Sequence, residues 1–189
     1  MENIVFHGSA AYDMEELIKD IQENGFKYKY RDNHWLGQGV YFFSEEEWAL
    51  MWSKQSRNSA KNKCVITAKI FCEDEKFLDL DLVSNHRKIG KYIQKISERL
   101  KKENILLKFE GNDKNKERCF YLAMIKQEYN YKILKQTFPL ENKNEITNKI
   151  GLYLSQIQFC VTSTENIEYR GYRIIESPLK NRKSLRMEW

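Results

Sequence analysis

The chain has 189 residues, of which 41% are hydrophobic and 31% charged, and its formal net charge is +5. This length and composition predict one soluble globular domain, and no run reaches the roughly 18 apolar residues that a membrane span needs. The N-terminus lacks a basic region followed by an apolar stretch, so we expect no signal peptide and a cytoplasmic location.

The charge is unevenly distributed along the chain. Residues 1–50 carry ten acidic against four basic residues, whereas residues 85–118 carry eleven basic against five acidic ones. Residues 169–189 carry six basic against two acidic residues. Such asymmetry is typical of a protein with an anionic partner, but solvated Lys-rich helices produce the same pattern. Both interpretations stay open at this point.

The four cysteines, Cys64, Cys72, Cys119 and Cys160, form no C-x-x-C pair. The three histidines are not at zinc-ligand spacing either. Since three of the four cysteines have apolar neighbours, we expect buried free thiols of a reducing compartment and no metal site.

The first quarter of the chain predicts a strand, a helix, a loop and a second strand. Residues 3–6 form an apolar strand that ends at His7-Gly8, and residues 13–23 have helical periodicity closed by Gly25. Residues 26–38 are aromatic, charged and irregular, which predicts a loop, and residues 39–43 predict a strand.

Short helices and strands continue after this point. Ser44 and Glu47 have the spacing of a capping box, which predicts a helix through Trp52. Residues 53–63 predict a turn. The later elements are strands at 64–72, 77–80, 157–162 and 172–175 and helices at 88–102 and 117–128. This order predicts an α+β fold in a single domain over residues 1–189, with a basic helical insertion at about 82–150.

Two short motifs could line a ligand site. His7-Gly8-Ser9 lies at a strand end, where a glycine lets a ligand approach the backbone closely. Gly37-x-Gly39-x-Tyr41-Phe42 leads into an aromatic strand, but it is not a Rossmann fingerprint because the glycines precede the strand. A tight turn that enters a core strand would also account for these glycines. Trp48 and Trp52 then share one helical face, so Tyr41 and a tryptophan could enclose a planar ring.

Together these motifs resemble the ADP-ribosyltransferases of the diphtheria-toxin and poly(ADP-ribose) polymerase class, whose catalytic residues are His, Tyr and Glu on three strands. The resemblance covers residues 4–53 and, more loosely, 155–162. It implies a split β-sandwich flanked by short helices, with NAD as co-substrate and no metal.

The resemblance also implies roles for single residues. His7 would bind the adenosine-side ribose, the backbone of Gly8 would bind the nicotinamide carboxamide, and Tyr41 and Trp52 would stack on nicotinamide. The remaining cofactor contacts would come from Ser9, Gly39 and Arg31, the last of which could pair with a phosphate.

The catalytic Glu of the class has no counterpart in this chain. Gln158 occupies the matching position, with Gln156 as the alternative. A glutamine accepts a hydrogen bond but brings no negative charge, so it stabilises a developing cation less and cannot act as a general base. The substitution is more compatible with transfer of single ADP-ribose units than with chain extension.

The predicted function is therefore NAD-dependent mono-ADP-ribosyl transfer to a macromolecule, in the manner of an intracellular toxin or phage-defence effector with an antitoxin or regulatory partner. The basic residues 85–118, including Lys88, Lys91 and Lys95, favour RNA or DNA over protein as acceptor, and no membrane partner is expected. Alternatives are an inactive NAD-binding module and an NAD glycohydrolase. Asp79 and Asp81 resemble a strand end of the class, but we expect two solvent-facing aspartates.

Overall fold

Seven strands form one hydrogen-bonded sheet in the computed structural model, which describes residues 1–54, 62–109, 111, 113–139 and 146–176. The strands are β1 (Glu2–Ala11), β2 (Val40–Phe43), β3 (Asn62–Phe71), β4 (Phe77–Asp79), β5 (Ile133–Pro139), β6 (Ser155–Val161) and β7 (Ile167–Glu176). Their order across the sheet is β4-β5-β6-β2-β1-β3-β7. Neighbouring strands are antiparallel except β4 and β5, which are parallel.

Strands β1 and β2 have the fewest paired residues of any two neighbouring strands in the sheet. These two strands pair only at Phe6 and Phe43, whereas β1 pairs with β3 over ten residues. If the β1–β2 register continued, Gly8 would pair with Tyr41, but the strands part before that point. The sheet therefore consists of two halves, β4-β5-β6-β2 and β1-β3-β7, joined at one residue pair.

Four α-helices among the described residues cover the two faces of the sheet, confirming the predicted mixture of helices and strands. They are α1 (Met14–Asn24), α2 (Glu46–Lys54), α3 (Val83–Lys102) and α4 (Lys114–Tyr129). Helix α1 begins where Asp13 accepts a hydrogen bond from the Glu16 amide, and it ends at Gly25, whose φ of 76° favours glycine. Its buried residues pack on one face of the sheet with Phe26 and Phe42.

The opposite face carries two separate apolar clusters. Helix α2 packs through Ala49 against Phe43 and Val65. Helices α3 and α4 pack through Tyr92 and Leu122 against strands β4, β5 and β6. No helix among the described residues is long and apolar enough to cross a membrane.

Several elements differ from those that the sequence predicts. Strand β5 was not predicted, and α3 and α4 begin at residues 83 and 114, earlier than expected. Strand β1 continues past the expected end at His7-Gly8 to Ala11, and β7 begins at residue 167 instead of 172. The capping box at Ser44 is wrong: the Ser44 hydroxyl is buried without a hydrogen-bond partner among the described residues, and its amide donates to the Ile157 carbonyl at 3.2 Å. Ser44 thus continues the pairing of β2 with β6, and α2 begins two residues later. The turn expected over 53–63 is wrong at its ends, since Ser53 and Lys54 belong to α2 and residues 62 and 63 to β3; its middle, 55–61, lies outside the described residues, as does the basic tail from residue 177.

Asp79 is partly buried and Asp81 is exposed, so the expected solvent-facing position holds only for Asp81, and both carboxylates are paired with a cation. The Lys135 ammonium lies 3.1 Å from Asp79 and 2.8 Å from Asp81, and Asp81 also accepts hydrogen bonds from the amide and hydroxyl of Thr137. Partial burial would raise the pKa of Asp81, but these hydrogen bonds lower it overall. This network ties the short edge strand β4 and the chain after it to β5, so the two aspartates have a structural role.

The cysteines are free thiols, as expected. Cys64, Cys119 and Cys160 are buried and Cys72 is partly buried. Burial raises the pKa of Cys64 to about 11, so this thiol is neutral and unreactive at physiological pH.

Candidate functional site

A cleft of about 510 Å³ lies at the point where β1 and β2 part. Its volume is in the range of small-molecule sites. Its lining residues come from both faces of the sheet and from the loop between α1 and β2: His7, Lys27, Tyr28, Lys29, Arg31, Asn33, His34, Trp35, Gly39, Val40, Tyr41, Phe43, Trp52, Asn115 and Gln158. The cleft thus contains six of the residues singled out in the sequence, namely His7, Arg31, Gly39, Tyr41, Trp52 and Gln158.

Tyr41 is held rigidly by its hydroxyl. The hydroxyl accepts a hydrogen bond from the Leu36 amide at 2.7 Å and donates one to the Gly37 carbonyl at 2.9 Å. Burial raises the pKa of the phenol well above its ordinary value, so Tyr41 is neutral. Because both hydrogen-bonding functions of the hydroxyl are used, what Tyr41 offers a ligand is its ring.

The two glycines before Tyr41 are required by the protein's own geometry. Gly37 has a φ of 78°, which favours glycine. A Cβ on Gly39 would lie 2.6 Å from both the Cys160 sulfur and the Val161 carbonyl oxygen, so β6 leaves no room for one. A tight turn entering a core strand therefore accounts for both glycines. Gly39 lines the cleft as well.

His7 spans the gap between β1 and β2 with its side chain. Its Nδ1 lies 2.7 Å from the Tyr41 carbonyl oxygen, and its ring contacts Phe26 and Phe42 with centroids 5.8 and 5.6 Å apart. A carbonyl only accepts, so Nδ1 carries the proton. Burial lowers the pKa of His7 despite this hydrogen bond, which keeps the ring neutral. Nε2 is then a hydrogen-bond acceptor in a residue that lines the cleft.

Aromatic side chains of β2 and α2 form one wall of the cleft. The Trp52 side chain is 50% exposed, and its ring centroid lies 6.1 Å from that of Phe43. Trp48 instead packs in the apolar cluster under α2. Of the two tryptophans on this helix, Trp52 is therefore the one that can stack on a ligand.

Gln158 reaches the cleft through strand pairing. β6 is antiparallel to β2, with Gln158 opposite Phe43 and Cys160 opposite Tyr41, so these four side chains share one face of the sheet. Gln158 is only 4% exposed. Gln156 is also buried, but among the described residues that line the cleft Gln158 is present and Gln156 is not.

The charged residues that line the cleft are all basic. Lys27, Lys29 and Arg31 belong to the loop after α1, and no Asp or Glu is found among the described lining residues. Lys27 is neutralised by Asp20 at 2.7 Å. Lys29 and Arg31 make no ion pair within the described part of the chain. The cleft is therefore suited to a ligand with anionic groups.

Gly8 and Ser9 follow His7 on β1 but lie outside the set of described lining residues. A Cβ on Gly8 would lie 2.0 Å from the Ala49 carbonyl oxygen, so this glycine allows α2 to approach β1. Ser9 pairs with Cys64 on β3. Both residues lie on the edge of β1 that faces the gap to β2. The expected contact between the Gly8 backbone and a ligand stays a prediction.

Among the residues that the sequence did not assign to the site, three shape its aromatic part. His34 lines the cleft, meets the Tyr41 ring edge-on at 5.4 Å, and has a buried Nδ1 with no partner in the described structure. Phe43 forms part of the aromatic wall. From α4, the Lys126 ammonium donates to the Gln38 carbonyl at 2.8 Å and thereby supports the loop below Tyr41. Of these three residues, only His34 could have been assigned to the site from the sequence, because it lies just before Gly37 and Gly39.

The basic helix α3 differs in part from its expected role. The Lys88 ammonium donates to the Tyr131 hydroxyl at 2.7 Å and lies 4.0 Å above the Tyr129 ring. Lys88 therefore packs α3 against the end of α4 and the residues before β5, and only Lys91 and Lys95 of the three proposed contact residues stay available. No three His, Cys, Asp or Glu side chains among the described residues are grouped closely enough to bind a metal ion.

Comparison with known proteins gives little information about function. No protein-family profile matches the chain. The chain is similar to an uncharacterised protein of Methanocaldococcus jannaschii, with 32% identity over 85 residues. The match covers 43% of this chain and 38% of the length of that relative.

Proposed function

We propose that the protein binds NAD in the cleft between β1 and β2 and transfers its ADP-ribose to a macromolecule as a mono-ADP-ribosyltransferase. The observation that carries the proposal is the meeting of His7, Tyr41, Trp52 and Gln158 in one cleft, although they lie on four different elements. The proposal includes a split β-sandwich, since the sheet halves are joined at one residue pair.

Nicotinamide would bind against the aromatic wall. Tyr41 and Trp52 would enclose the ring, and Phe43 would extend the apolar surface. Offset stacking contributes roughly 0.5–1.5 kcal/mol per aromatic pair. A rigid Tyr41, held at its hydroxyl by Leu36 and Gly37, would lose little conformational entropy when the ring binds.

The polar groups of the cleft fit the rest of the dinucleotide. The neutral His7 can accept a hydrogen bond from a ribose hydroxyl through Nε2, which a protonated imidazole cannot do. Arg31 is suited to the pyrophosphate because a guanidinium can pair with two phosphate oxygens. No Asp or Glu is found among the described lining residues, so no carboxylate of this set would repel the pyrophosphate.

The reaction would break the bond between the ribose C1″ and the nicotinamide nitrogen, with the electron pair leaving on nicotinamide. A nucleophile of the acceptor then bonds to C1″, and its proton passes to water. Positive charge develops on the ribose during this step. Gln158 can accept a hydrogen bond from the ribose 2′-hydroxyl but supplies no charge, so we expect a slow enzyme.

The test is the release of nicotinamide from labelled NAD, followed by analysis of which molecules carry the label. Incubation with separate pools of RNA, DNA and protein should label one pool. Label in free ADP-ribose alone would assign the cleft to NAD hydrolysis. Release of nicotinamide in none of these reactions would overturn the proposed enzyme.

The buried glutamine favours one second candidate, a domain that binds NAD without chemistry. Gln158→Glu separates the two functions. A catalyst should release nicotinamide about tenfold or more faster with a carboxylate at this position, since one well-placed electrostatic group contributes a few kcal/mol. Gln156→Glu, a buried neighbour outside the described lining, is the matched control and should give no increase. A binding module would bind NAD and release nothing in either variant.

A further inference from the structure

The loop after α1 presents alternating cations and tyrosines at the mouth of the cleft. Lys27-Tyr28-Lys29-Tyr30-Arg31, here called the rim segment, forms no helix or strand, and all five residues are exposed. Tyr28 is 47% exposed and Tyr30 76%. Two large aromatic side chains in solvent on one short segment are unusual for a surface without a partner.

The rim segment is anchored at both ends. Phe26, which precedes it, is buried against His7 and Phe42, and Lys27 pairs with Asp20. At the other end, the Gln38 side chain accepts a hydrogen bond from the Arg31 amide and donates one to the Arg31 carbonyl. The tyrosines therefore project from a backbone whose ends are held by the protein, rather than from a terminus.

A further aromatic side chain extends this surface. Trp35 is 38% exposed, lines the cleft, and contacts Phe138 of β5 with ring centroids 4.8 Å apart and the ring planes tilted by 47°. The surface formed by the rim segment and Trp35 thus combines aromatic faces with the cation of Lys29, while Arg31 is left for the pyrophosphate of NAD. Asp32 follows immediately, but its carboxylate is paired with Lys116 at 3.1 Å.

Aromatic faces beside cations are the combination that binds single-stranded nucleic acids. Unpaired bases stack on aromatic rings while Lys and Arg contact the phosphates. In a duplex the base faces are stacked on one another, so exposed tyrosines would gain little from it. Helix α3 is also basic, but its aromatic residue Tyr92 is buried, and α3 therefore lacks the stacking part of this chemistry.

We propose that the rim segment and Trp35 bind an unpaired nucleic-acid strand and present it to the cleft as the acceptor of ADP-ribose. The part about the acceptor rests on the proposed function, whereas strand binding does not. The proposal assigns recognition of the acceptor to the loop after α1, whereas the sequence analysis had indicated residues 85–118. Lys91 and Lys95 would contribute a general attraction at most.

The test measures binding of fluorescein-labelled oligonucleotides of about 12 nucleotides, as single-stranded RNA, single-stranded DNA and the corresponding duplexes. Anisotropy without NAD should show tighter binding of a single strand than of its duplex, and the RNA and DNA arms identify the source. Tyr30→Ala should weaken single-strand binding by about fivefold or more, since stacking on one aromatic ring contributes on this scale. Tyr30→Phe keeps the ring and should bind like the wild type.

Matched controls show whether strand binding depends on the rim segment in particular. Tyr153 is 62% exposed and lies outside the set of described lining residues, so Tyr153→Ala should leave binding unchanged. Lys29→Gln should reduce binding more than Lys91→Gln on α3. Equal binding of duplex and single strand, or a larger effect of Lys91→Gln, would overturn the proposal. So would an equal loss of NAD affinity in Tyr30→Ala, which would mean that Tyr30 binds NAD.

The result for the strand and the result for the enzyme can be told apart. Tyr30→Ala should release nicotinamide from NAD at the wild-type rate when no oligonucleotide is present, since Tyr30 does not line the cleft in the described structure. Strand binding without any nicotinamide release would overturn the proposed function alone. Label transfer to protein, with no single-strand binding, would overturn this inference alone.

Discussion

The imidazole of His7 is fixed by the Tyr41 carbonyl and two phenylalanine rings, and this environment also decides its charge. Burial lowers its pKa below the ordinary 6.5, with the hydrogen bond to Tyr41 opposing the shift. In the unfolded chain the same group has its ordinary pKa. As the pH falls below about 6.5, the unfolded chain therefore takes up the proton first.

The predicted consequence is that the folded protein loses stability as the pH falls from about 7 to about 5.5, by up to roughly 1.4 kcal/mol per pH unit. His34, whose pKa is also lowered, contributes in the same direction. Urea unfolding at the two pH values measures the change. His7→Gln should have a weaker pH dependence than the wild type. An identical pH dependence in His7→Gln would contradict the assignment.

Residues that look alike in sequence differ in what they contribute. Trp48 and Trp52 share a helical face, but Trp48 packs under α2 and Trp52 lies in the cleft. Gln156 and Gln158 share a sheet face and are both buried, but only Gln158 of the two is among the described lining residues. The resemblance had chosen Trp52 and Gln158 from these two pairs, and in each pair this is the member that lines the cleft.

At the scale of elements, the approach of α2 to β1 places Trp52 at the cleft. This approach depends on Gly8, where a Cβ would lie 2.0 Å from the Ala49 carbonyl oxygen and 2.9 Å from the Ser53 amide nitrogen. Both contacts are with helix backbone, so a side-chain rotation cannot relieve them. The glycine in His7-Gly8-Ser9 therefore has a packing role whether or not its backbone also contacts a ligand.

Gly8→Ala should destabilise the protein by roughly 2–3 kcal/mol or more, because α2 must move away from the sheet. NAD binding should weaken in the fraction that stays folded, because Trp52 moves with the helix. The matched control is Gly90→Ala in α3, where an added Cβ meets nothing within 4 Å. This variant should be about 1 kcal/mol more stable than the wild type. Equal stability of the two variants in urea unfolding would contradict the close approach.

Helix α4 links the region 82–150 to the site. The sequence of this region did not indicate such a link. Lys126 supports the Gln38 carbonyl, and Leu122 packs with Leu36 and Cys160 beneath Tyr41. The region is thus part of the structure that holds the aromatic wall, as well as a basic surface.

At the scale of the whole molecule, the two halves of the sheet pair at one residue position, beside the cleft where the ligand would bind. His7 already bridges the gap through the Tyr41 carbonyl. A dinucleotide that contacts β1, β2, β6 and α2 at once would join the two halves and stabilise the folded state by mass action.

NAD at about a hundred times its dissociation constant should therefore stabilise the fold by about 2.7 kcal/mol, or raise Tm by about 5 °C or more. Differential scanning fluorimetry measures this shift. Trp52→Ala, exposed and thus tolerable for folding, should reduce the shift at the same NAD concentration, whereas Tyr153→Ala should keep it. No shift at any NAD concentration would contradict binding in this cleft.

The sequence by itself determined the elements whose signals are local. The apolar periodicity of α1, its Asp13 and Gly25 ends, the aromatic β2 and most of the other strands depend on neighbours within a few residues. The motif residues His7, Tyr41 and Gln158 were also found in sequence, because their types and order resemble a known class.

Only the tertiary structure decided how these pieces combine. The parting of β1 from β2, the pairing of Lys135 with two aspartates and the exposure of Tyr30 all depend on contacts between distant segments. Strand β5 and the position of Ser44 were also decided by the tertiary structure. Strand β6 pairs with β5 on one side, and on the other side its Ile157 carbonyl accepts a hydrogen bond from the Ser44 amide at the end of β2. Local patterns carry no record of such contacts, because the energy that selects them arises only when the sheet assembles.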